Sequence, residues 1–383
     1  MGRPPSSIPE LIAQEGSRVS FARFMELALT HPVAGYYARE VPVLGARGDF
    51  TTAPLRTPAF ARGVARIVGR LLDGIFTVSP GLVPLVAELG AGTGVLAAGV
   101  LEEWERAQPD LIDRVSFCAV DSSAARRSEQ ATRLAPFRER GWDLRVLPEL
   151  EPWEGPGVVY ANELLDALPV HRVRIAGAAV QEAWVVLEDE KGELREEWGP
   201  LSEAAGDELR FLFGTVDASR LRLLTVDGHL ELRPVFGSLL SRLAESFRGP
   251  VCLVWIDYGD RLRGPREEPA AGLPQVPHCR TARGYFKHQE TRDLYRLAGR
   301  QDLTADVDFR ALDLHGSRAG FERLFLSSLA AFLRSLGGEG DLEELTRAEY
   351  SLERDAEATV LAALLDEGDL GGLFKVMVQV REE

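Results

Sequence analysis

The sequence predicts an α/β protein with a doubly wound sheet, meaning a largely parallel sheet with helices on both faces. From Val83 onward, short apolar runs alternate with helical segments; the runs are LVAEL, VSFCAVD, DLRVLPEL and GVVYANELL. This alternation is typical of parallel strands joined by helical crossovers. The segment LVAELGAGTGVLAAGVLEEW, residues 85 to 104, also places three glycines within five positions between a strand and an amphipathic helix. Sheets of this class hold ligands at such turns.

Residues 1 to 80 precede this alternation, and we expect them to form an N-terminal helical cap or lid. Residues 8 to 30 carry apolar side chains at helical spacing, and Ser20 is placed to cap a second helix that ends near Leu29. After a loop rich in glycine, proline and aromatic residues, a helical pattern resumes from Thr57 to Phe76. The main domain is expected to span residues 81 to 383.

Residues 173 to 235 differ from the rest of the predicted main domain. The stretches EAWVVLEDEKGELREEW and LRLLTVDGHLEL alternate in polarity around D-E-K-G and D-G turns, a pattern that predicts an insertion of antiparallel hairpins. A helix, FGSLLSRLAESFRG, and a buried strand, GPVCLVWIDYGD, follow. Residues 261 to about 310 are expected to form a substrate-side loop, and LFKVMVQVR to form the last strand.

Composition limits the classes of partner. The 383 residues carry a net charge of -15 with acids spread along the chain, which argues against a nucleic-acid-binding surface. The three cysteines are far apart, so we expect no disulfide framework and a reducing compartment. The chain shows no apolar run long enough to span a membrane and no recognisable targeting segment at its start. These observations favour a cytoplasmic, bacterial protein, and they predict no oligomeric state.

The glycine turn narrows the choice of ligand. It has the form E-x-G-x-G-x-G, with Glu88, Gly90, Gly92 and Gly94. A dinucleotide fingerprint would need glycine or alanine three residues after Gly92, where this chain has Val95. A P-loop is excluded because no Gly-Lys-Ser/Thr follows.

This turn resembles motif I of the class I S-adenosylmethionine-dependent methyltransferases, in which the glycines pass beside the methionine moiety and the acid helps to orient it. The resemblance implies a second acid, after the next strand, that binds both ribose hydroxyls. Asp121, 27 residues after Gly94, stands at that place. Because Asp121 precedes a helical segment, it could also be a helix cap.

A second polar group follows the fourth predicted strand. The segment VVYANELLDALPVHRV places Asn162, Glu163, Asp166 and His171 at the carboxyl end of a buried strand, where doubly wound sheets carry their chemistry. Alternatively, Glu163 and Asp166 are the acidic first turn of a helix.

Several stretches occur in an order similar to that of the MidA-like methyltransferase family, whose mitochondrial members assist assembly of respiratory complex I by methylating a protein arginine. They are GYY, GARGDFTTAP, ELGAGTG, NELLDALPVHRV, IDYGD, ARGYFKHQ and DLTADVDF. The resemblance implies a class I methyltransferase (Rossmann-like) fold whose parallel core is closed by an antiparallel last strand. It also implies S-adenosyl-L-methionine as cofactor and a protein or peptide as substrate.

The resemblance, together with the chemistry that a guanidinium acceptor requires, predicts three groups of site residues. The cofactor group is Glu88, Gly90, Gly92, Gly94, Asp121 and Asn162. The substrate-side group is Asp49, Asp257, Tyr258 and His288. The catalytic group is Glu163 and Asp166, which would orient a guanidinium, and His171, which would accept a proton or else be structural.

The chain departs from the family in one loop, where GDFTTAPLRTPAF lacks an acid and a serine of the usual pattern. This departure keeps open transfer to a different nitrogen or oxygen acceptor. A non-catalytic assembly or binding factor that keeps the fold, with or without the cofactor, is a further alternative. No metal is expected. The spacing of His278, Cys279 and His288 suits no common zinc site, and the three aspartates of DLTADVDF lack the other features of a calcium loop. That stretch is expected to cap a helix and to close over the active site.

Overall fold

The computed structural model describes residues 7–38, 57–188, 192–223, 225, 228–260, 281–287, 289–347 and 351–382. Asp49 and His288, like the pair His278 and Cys279, therefore lie outside the described residues. The helices are α1 Ile8–Gln14, α2 Phe21–Thr30, α3 Pro58–Val78, α4 Val95–Ala107, α5 Ala124–Glu139, α6 Glu203–Phe213, α7 Ala218–Arg222, α8 Val235–Glu245, α9 Phe309–Arg318, α10 Leu329–Ser335, α11 Gly338–Arg347, α12 Leu352–Leu365 and α13 Leu370–Leu373, with 3-10 turns at Tyr36–Ala38 and Pro109–Asp113.

The strands are numbered β1 to β16 in chain order. They are β1 Arg18–Ser20, β2 Leu85–Leu89, β3 Ser116–Val120, β4 Asp143–Leu147, β5 Gly157–Asn162, β6 His171–Ala176, β7 Ala179–Leu187, β8 Leu194–Gly199, β9 His229–Leu232, β10 Val251–Asp260, β11 Arg283–Phe286, β12 Gln289–Thr291, β13 Asp302–Thr304, β14 Val307–Asp308, β15 Glu322–Ser328 and β16 Phe374–Arg381.

The main sheet has the strand order β15-β16-β10-β5-β2-β3-β4, with the short β14 beside the end of β10. Strands β4, β3, β2, β5 and β10 pair in parallel, whereas β16 is antiparallel to both β10 and β15. The α/β class with a mostly parallel sheet is therefore confirmed, as is the antiparallel final strand.

Both faces of the main sheet are covered by helices. One apolar core joins alternate strand residues, such as Val86 and Tyr160, to helices α3 and α4, including Phe60 and Trp104. The other core joins the intervening strand residues to α8 and α9. Burial on both faces explains why β2, β3 and β5 read as continuous apolar runs.

A second sheet has the order β1-β7-β6-β9, with β8 paired to β7, and its pairings are antiparallel. Helices α1 and α2 share an apolar core with this sheet that includes Phe24 of α2 and Val185 of β7. Val173 of β6 packs instead in the second core of the main sheet. Ser20 caps α2 by accepting a hydrogen bond from the backbone N–H of Arg23, as the sequence predicted.

The hairpin predicted in LRLLTVDGHLEL, residues 221 to 232, is wrong in its first arm, because Leu221 and Arg222 end helix α7 and, of the residues described in this stretch, only His229–Leu232 is a strand, β9, which pairs with β6. The Asp217 side chain accepts a hydrogen bond from the Arg220 N–H and caps this helix, and Leu221 is buried. Helix α6, capped by Ser202, was also not anticipated within the region of hairpins. The described helices include none that is long and apolar enough to cross a membrane.

Candidate active site

The glycine turn lies between β2 and α4, at the carboxyl edge of the main sheet. Gly90, Gly92 and Gly94 have φ angles of 66°, 52° and 75°, the left-handed region that residues with a Cβ rarely adopt. Gly94 occupies the N-cap position of α4. A Cβ on Gly90 would also come within 2.9 Å of Leu164 Cδ1, so a larger residue there would displace the end of that side chain as well as strain the backbone.

Asp121 holds this turn from the neighbouring strand. Its Oδ2 accepts a hydrogen bond from the Gly92 N–H at 3.0 Å, and its Oδ1 accepts one from the Ser123 N–H at 2.9 Å. The residue that caps α5 is Ser123, which accepts from the Arg126 N–H, so Asp121 is not the helix cap. Burial raises the pKa of Asp121.

Helix α5 supports the turn through two residues that sequence reasoning missed. Gln130 Nε2 donates to the Gly92 carbonyl and Arg133 Nε donates to the Thr93 carbonyl, both at 2.9 Å. Gln130 is fully buried, and its Oε1 has no hydrogen-bond partner in the described part of the chain. Gln130 and Arg133 are three positions apart and so lie on one face of α5, but such spacing occurs in every helix and does not by itself identify a functional residue.

Glu88 lies beneath the turn. It is 3% exposed, its Oε2 accepts a hydrogen bond from the Tyr160 hydroxyl at 3.2 Å, and burial raises its pKa to about 8. A further hydrogen bond comes from the backbone of Ala97 in α4. Glu88 thus ties β2 to β5 and to the start of α4, and its role toward the methionine moiety stays a prediction.

The chain after β5 forms an irregular turn and not a helix, which rules out the interpretation of Glu163 and Asp166 as a first helical turn. Glu163 has φ +50°, and its N–H donates to the Ile256 carbonyl of β10 at 2.9 Å. A left-handed conformation is uncommon for a residue other than glycine and is concentrated at functional sites.

Two donors orient the Glu163 carboxylate. The Tyr258 hydroxyl donates to Oε2 at 3.0 Å, and Asn162 Nδ2 donates to Oε1 at 3.1 Å. Burial and the charge of Glu163 raise the pKa of Tyr258, which keeps this hydroxyl a donor. Asn162 Oδ1 is buried and has no hydrogen-bond partner among the described residues.

Three buried aspartates lie around Glu163, and we call these four residues the acidic cluster. Asp257 is fully buried, and its Oδ2 accepts hydrogen bonds from the N–H groups of Leu165 and Asp166 at 2.8 and 3.2 Å. It therefore shapes the turn that carries Asp166. Burial, together with the charges of Asp166 and Glu163, raises the pKa of Asp257 well above its ordinary value.

Asp166 and Asp302 complete the acidic cluster, and each is 3% exposed. Burial raises the pKa of Asp166 to about 6 against the opposing charges of Arg233 and Arg283, and its Oδ1 has no hydrogen-bond partner in the described structure. Burial and the charge of Asp166 raise the pKa of Asp302 to about 7. Asp302 Oδ1 accepts a hydrogen bond from the Tyr37 hydroxyl at 2.8 Å.

Two arginines lie beside the cluster. Buried Arg233 donates to the carbonyls of Asp166, Ala305 and Asp306 and so joins the Asp166 turn to the segment after β13. Arg283 binds Asp306 at 2.7 Å, and its guanidinium carbon lies 5.7 Å from the centre of the Tyr258 ring. Arg233 lies outside every motif recognised in the sequence, so sequence reasoning missed it.

His171 lies at the start of β6 in the second sheet. Its Nδ1 is 2.7 Å from Oε1 of buried Glu182, whose Oε2 accepts a hydrogen bond from the Ser202 N–H. The contact with Glu182 gives His171 a structural partner within the second sheet, and its role as a base stays a prediction.

Asp308 caps α9 by accepting hydrogen bonds from the N–H groups of Arg310 and Ala311, which confirms the helix cap expected in DLTADVDF. Across the described residues, no group of three or more His, Cys, Asp and Glu side chains is arranged to hold a metal ion.

Comparison with known proteins gives concordant results. A family model described as "Putative S-adenosyl-L-methionine-dependent methyltransferase" matches residues 82–326. The mitochondrial protein arginine methyltransferase NDUFAF7 of Mus musculus is 27% identical over 328 residues, which cover 77% of this chain and 65% of the relative, slightly under two thirds. Its counterpart in Danio rerio is 28% identical over 355 residues, which cover 85% of this chain and 75% of the relative.

A solved structure extends the likeness to the whole fold. A protein from Burkholderia thailandensis, crystallised with S-adenosyl-homocysteine, superposes with a TM-score of 0.78 at 30% identity, covering 98% of this chain and 90% of that one. The resemblance noted in the sequence is thereby confirmed. The chain belongs to the family of S-adenosyl-L-methionine-dependent methyltransferases.

Proposed function

We propose that this chain transfers a methyl group from S-adenosyl-L-methionine to an arginine side chain of a protein. The observation that carries the proposal is the Glu163 carboxylate, which two neutral donors orient within a cluster of buried acids. The names of the arginine methyltransferases to which the chain is similar support the same acceptor.

The residues at the edge of the main sheet fit the cofactor. The left-handed glycines bring backbone close to a ligand, and Asp121 has further lone pairs that can accept hydrogen bonds from ribose hydroxyls. The unpartnered Oδ1 of Asn162 is an acceptor for a donor group of the cofactor. When bound, the cofactor supplies a methyl group on a positively charged sulfur.

The acidic cluster suits a cationic acceptor. A guanidinium has five N–H donors in a planar fork, and carboxylates bind it through two parallel hydrogen bonds. Glu163 is only partly buried and is held in one orientation, so we assign it the role of positioning the acceptor. Fixing the nucleophile in line with the methyl group is the main contribution that a protein makes to such a displacement.

The reaction also releases a proton from the guanidinium nitrogen. Asp166 is suited to hold that proton, because its Oδ1 lacks a partner in the described structure and its pKa is raised to about 6. His171 is the alternative base, although Glu182 already engages its Nδ1.

We further propose that residues 1 to 80 and the second sheet form the cap and insertion on the substrate side, with the catalytic domain at residues 81 to 383. Tyr37, from the N-terminal segment, contacts Asp302, which supports this arrangement. Helix α3 also packs in the core of the main sheet, so within this segment we assign residues 7–38 to the part that faces the substrate and α3 to the part that joins the cap to the catalytic domain.

The test is methyl transfer from labelled S-adenosyl-L-methionine to proteins of a cell extract, followed by mass spectrometry of the labelled peptides. Label on arginine supports the proposal, and label on another nitrogen or on oxygen points to a different acceptor. Absence of label from an enzyme preparation that binds S-adenosyl-homocysteine contradicts the proposal and favours a non-catalytic assembly factor.

A further inference from the structure

A continuous path of hydrogen bonds joins the glycine turn to the acidic cluster, and Tyr37 is its central residue. The path begins where the Gly92 N–H donates to Asp121 Oδ2, and it continues where the Ser123 N–H donates to Asp121 Oδ1. Ser123 Oγ then donates to the Tyr37 carbonyl at 2.7 Å, and the Tyr37 hydroxyl donates to Asp302 Oδ1 at 2.8 Å.

The path is specific to the tertiary fold. Tyr37 is 86 residues from Ser123 and 265 residues from Asp302 in the sequence. Its backbone contacts the cofactor side of the site while its side chain contacts the acceptor side. Tyr36, which is fully buried, packs edge-on against the Tyr37 ring at 5.3 Å between centroids and limits the positions open to that ring.

We propose that Tyr37 is a positioning residue that couples the two halves of the site, so that a bound cofactor increases the affinity for a guanidinium group. A ligand hydroxyl that binds Asp121 competes with the backbone donors of Gly92 and Ser123. Any shift of Ser123 moves the carbonyl of Tyr37, and the hydroxyl of Tyr37 orients Asp302 in the acidic cluster. This inference rests on the proposed function, since it uses Asp121 as the ribose acid and the cluster as the guanidinium site.

Such coupling can be measured as the factor by which each ligand changes the affinity for the other. If the cofactor product raises the affinity for a guanidinium, the guanidinium must raise the affinity for the product by the same factor. We therefore choose S-adenosyl-homocysteine and N-acetyl-L-arginine methylamide as probes, with N-acetyl-L-lysine methylamide as the control cation. Calorimetry gives the Kd of each probe with the other absent and with the other saturating.

For the wild type, we expect saturation with S-adenosyl-homocysteine to lower the Kd of the arginine probe about fivefold or more, within the range usual for linked sites. Tyr37→Phe removes only the hydroxyl that reaches Asp302, and it should reduce this factor to about twofold or less while both probes still bind. Ser123→Ala should reduce the factor as well, and the double variant should lose no more than the larger single loss, because both changes interrupt one path.

Tyr295→Phe is the matched control, because the Tyr295 hydroxyl likewise donates to a carboxylate, that of Glu196 in the second sheet. It should keep the wild-type coupling factor. A merely structural role of Tyr37 would weaken the binding of both probes and leave the coupling factor at its wild-type value.

The outcomes separate this inference from the proposed function. If the wild type binds the arginine probe equally well with and without S-adenosyl-homocysteine, or if Tyr37→Phe retains the full factor, the coupling is overturned and the acceptor assignment stands. If the wild type binds neither the arginine nor the lysine probe under either condition, the acidic cluster is not the acceptor site, and both proposals fall.

Discussion

The carboxylate of Asp121 accepts a hydrogen bond from the backbone N–H of Gly92 at 3.0 Å, although the two residues are 29 positions apart. Strands β2 and β3 pair in parallel, with Leu89 beside Val120, so both strands end at the same edge of the main sheet. The acid and the glycine turn therefore form one unit. A ligand that binds one of them necessarily lies beside the other.

We predict that S-adenosyl-homocysteine raises the Tm of the wild type and that Gly92→Ala abolishes this shift. A ligand at about 100 times its Kd adds about 2.7 kcal/mol to the free energy of unfolding. Gly92 has φ +52°, so a Cβ strains the turn, and the strain displaces the N–H that Asp121 binds. Differential scanning fluorimetry with and without the ligand measures the shift.

Gly177→Ala is the matched control for this experiment. Gly177 has φ +61° in the connection between β6 and β7, and a Cβ there would meet no atom within 4 Å. It carries similar backbone strain away from the glycine turn, so it should lower the Tm and keep the ligand shift. A wild type without any shift would contradict the assignment of the cofactor site.

We predict that Glu163→Gln abolishes methyl transfer while S-adenosyl-homocysteine still binds. Glutamine keeps the shape and an oxygen for the Tyr258 hydroxyl, but it lacks the charge that holds a guanidinium. Loss of one oriented electrostatic contact of this kind commonly lowers kcat by about 100-fold or more. Methyl transfer to arginine-containing protein and calorimetry with the product measure the two effects.

Tyr258→Phe tests whether the orientation of Glu163 matters. Removing one donor to a charged acceptor weakens the interaction by about 1.5 to 3 kcal/mol, so we expect a fall in kcat of about tenfold or more with the product affinity preserved. Tyr295→Phe again serves as control and should keep full activity. Unchanged transfer by both Glu163→Gln and Tyr258→Phe would place the acceptor elsewhere.

The sequence was most informative where the functional residues directly follow strands of the main sheet. The glycine turn, Asp121, Glu163 and Asp166 follow parallel strands, and such strands end at one edge, so their proximity could be predicted. Tyr37, Gln130 and Arg233 could not be predicted from spacing, because each reaches the site from a separate segment through a contact fixed only by the tertiary fold. The strand predicted to begin at Leu221 is wrong because the local cap at Asp217 favours a helix, which extends to Arg222, over the alternating pattern.

We predict that the affinity for N-acetyl-L-arginine methylamide rises with pH between about 5 and 8. Burial raises the pKa of Asp166 to about 6 and that of Asp302 to about 7, so both acids gain negative charge over this interval while the guanidinium stays protonated. Arg233, Arg283 and Asp306 modify the field at Asp166. The Kd of this probe should fall about tenfold between these pH values, and its binding should release protons.

Calorimetry in buffers of different ionisation enthalpy counts those protons. Asp302→Asn should reduce the number released and flatten the upper part of the profile. A Kd that does not vary with pH would mean that neither acid faces the bound guanidinium.

The same acids should lower the stability of the fold at high pH. Asp302 has its pKa raised from 3.8 to about 7, so the folded state binds more protons than the unfolded state between these values. Its contribution to stability is therefore fully present below about pH 4 and is lost as the pH rises through about 7.

Replacing Asp302 by asparagine removes the buried charge and keeps an oxygen for the Tyr37 hydroxyl. We expect Asp302→Asn to match the wild type near pH 4 and to exceed it near pH 8 by about 1 to 4 kcal/mol in the free energy of unfolding. Chemical denaturation at the two pH values measures the difference, and Asp110→Asn, which changes an exposed acid paired with Arg114, is the control. An equal effect of Asp302→Asn at both pH values would show that Asp302 is not a destabilising charge, and it would remove the physical reason for expecting the acidic cluster to attract a cation.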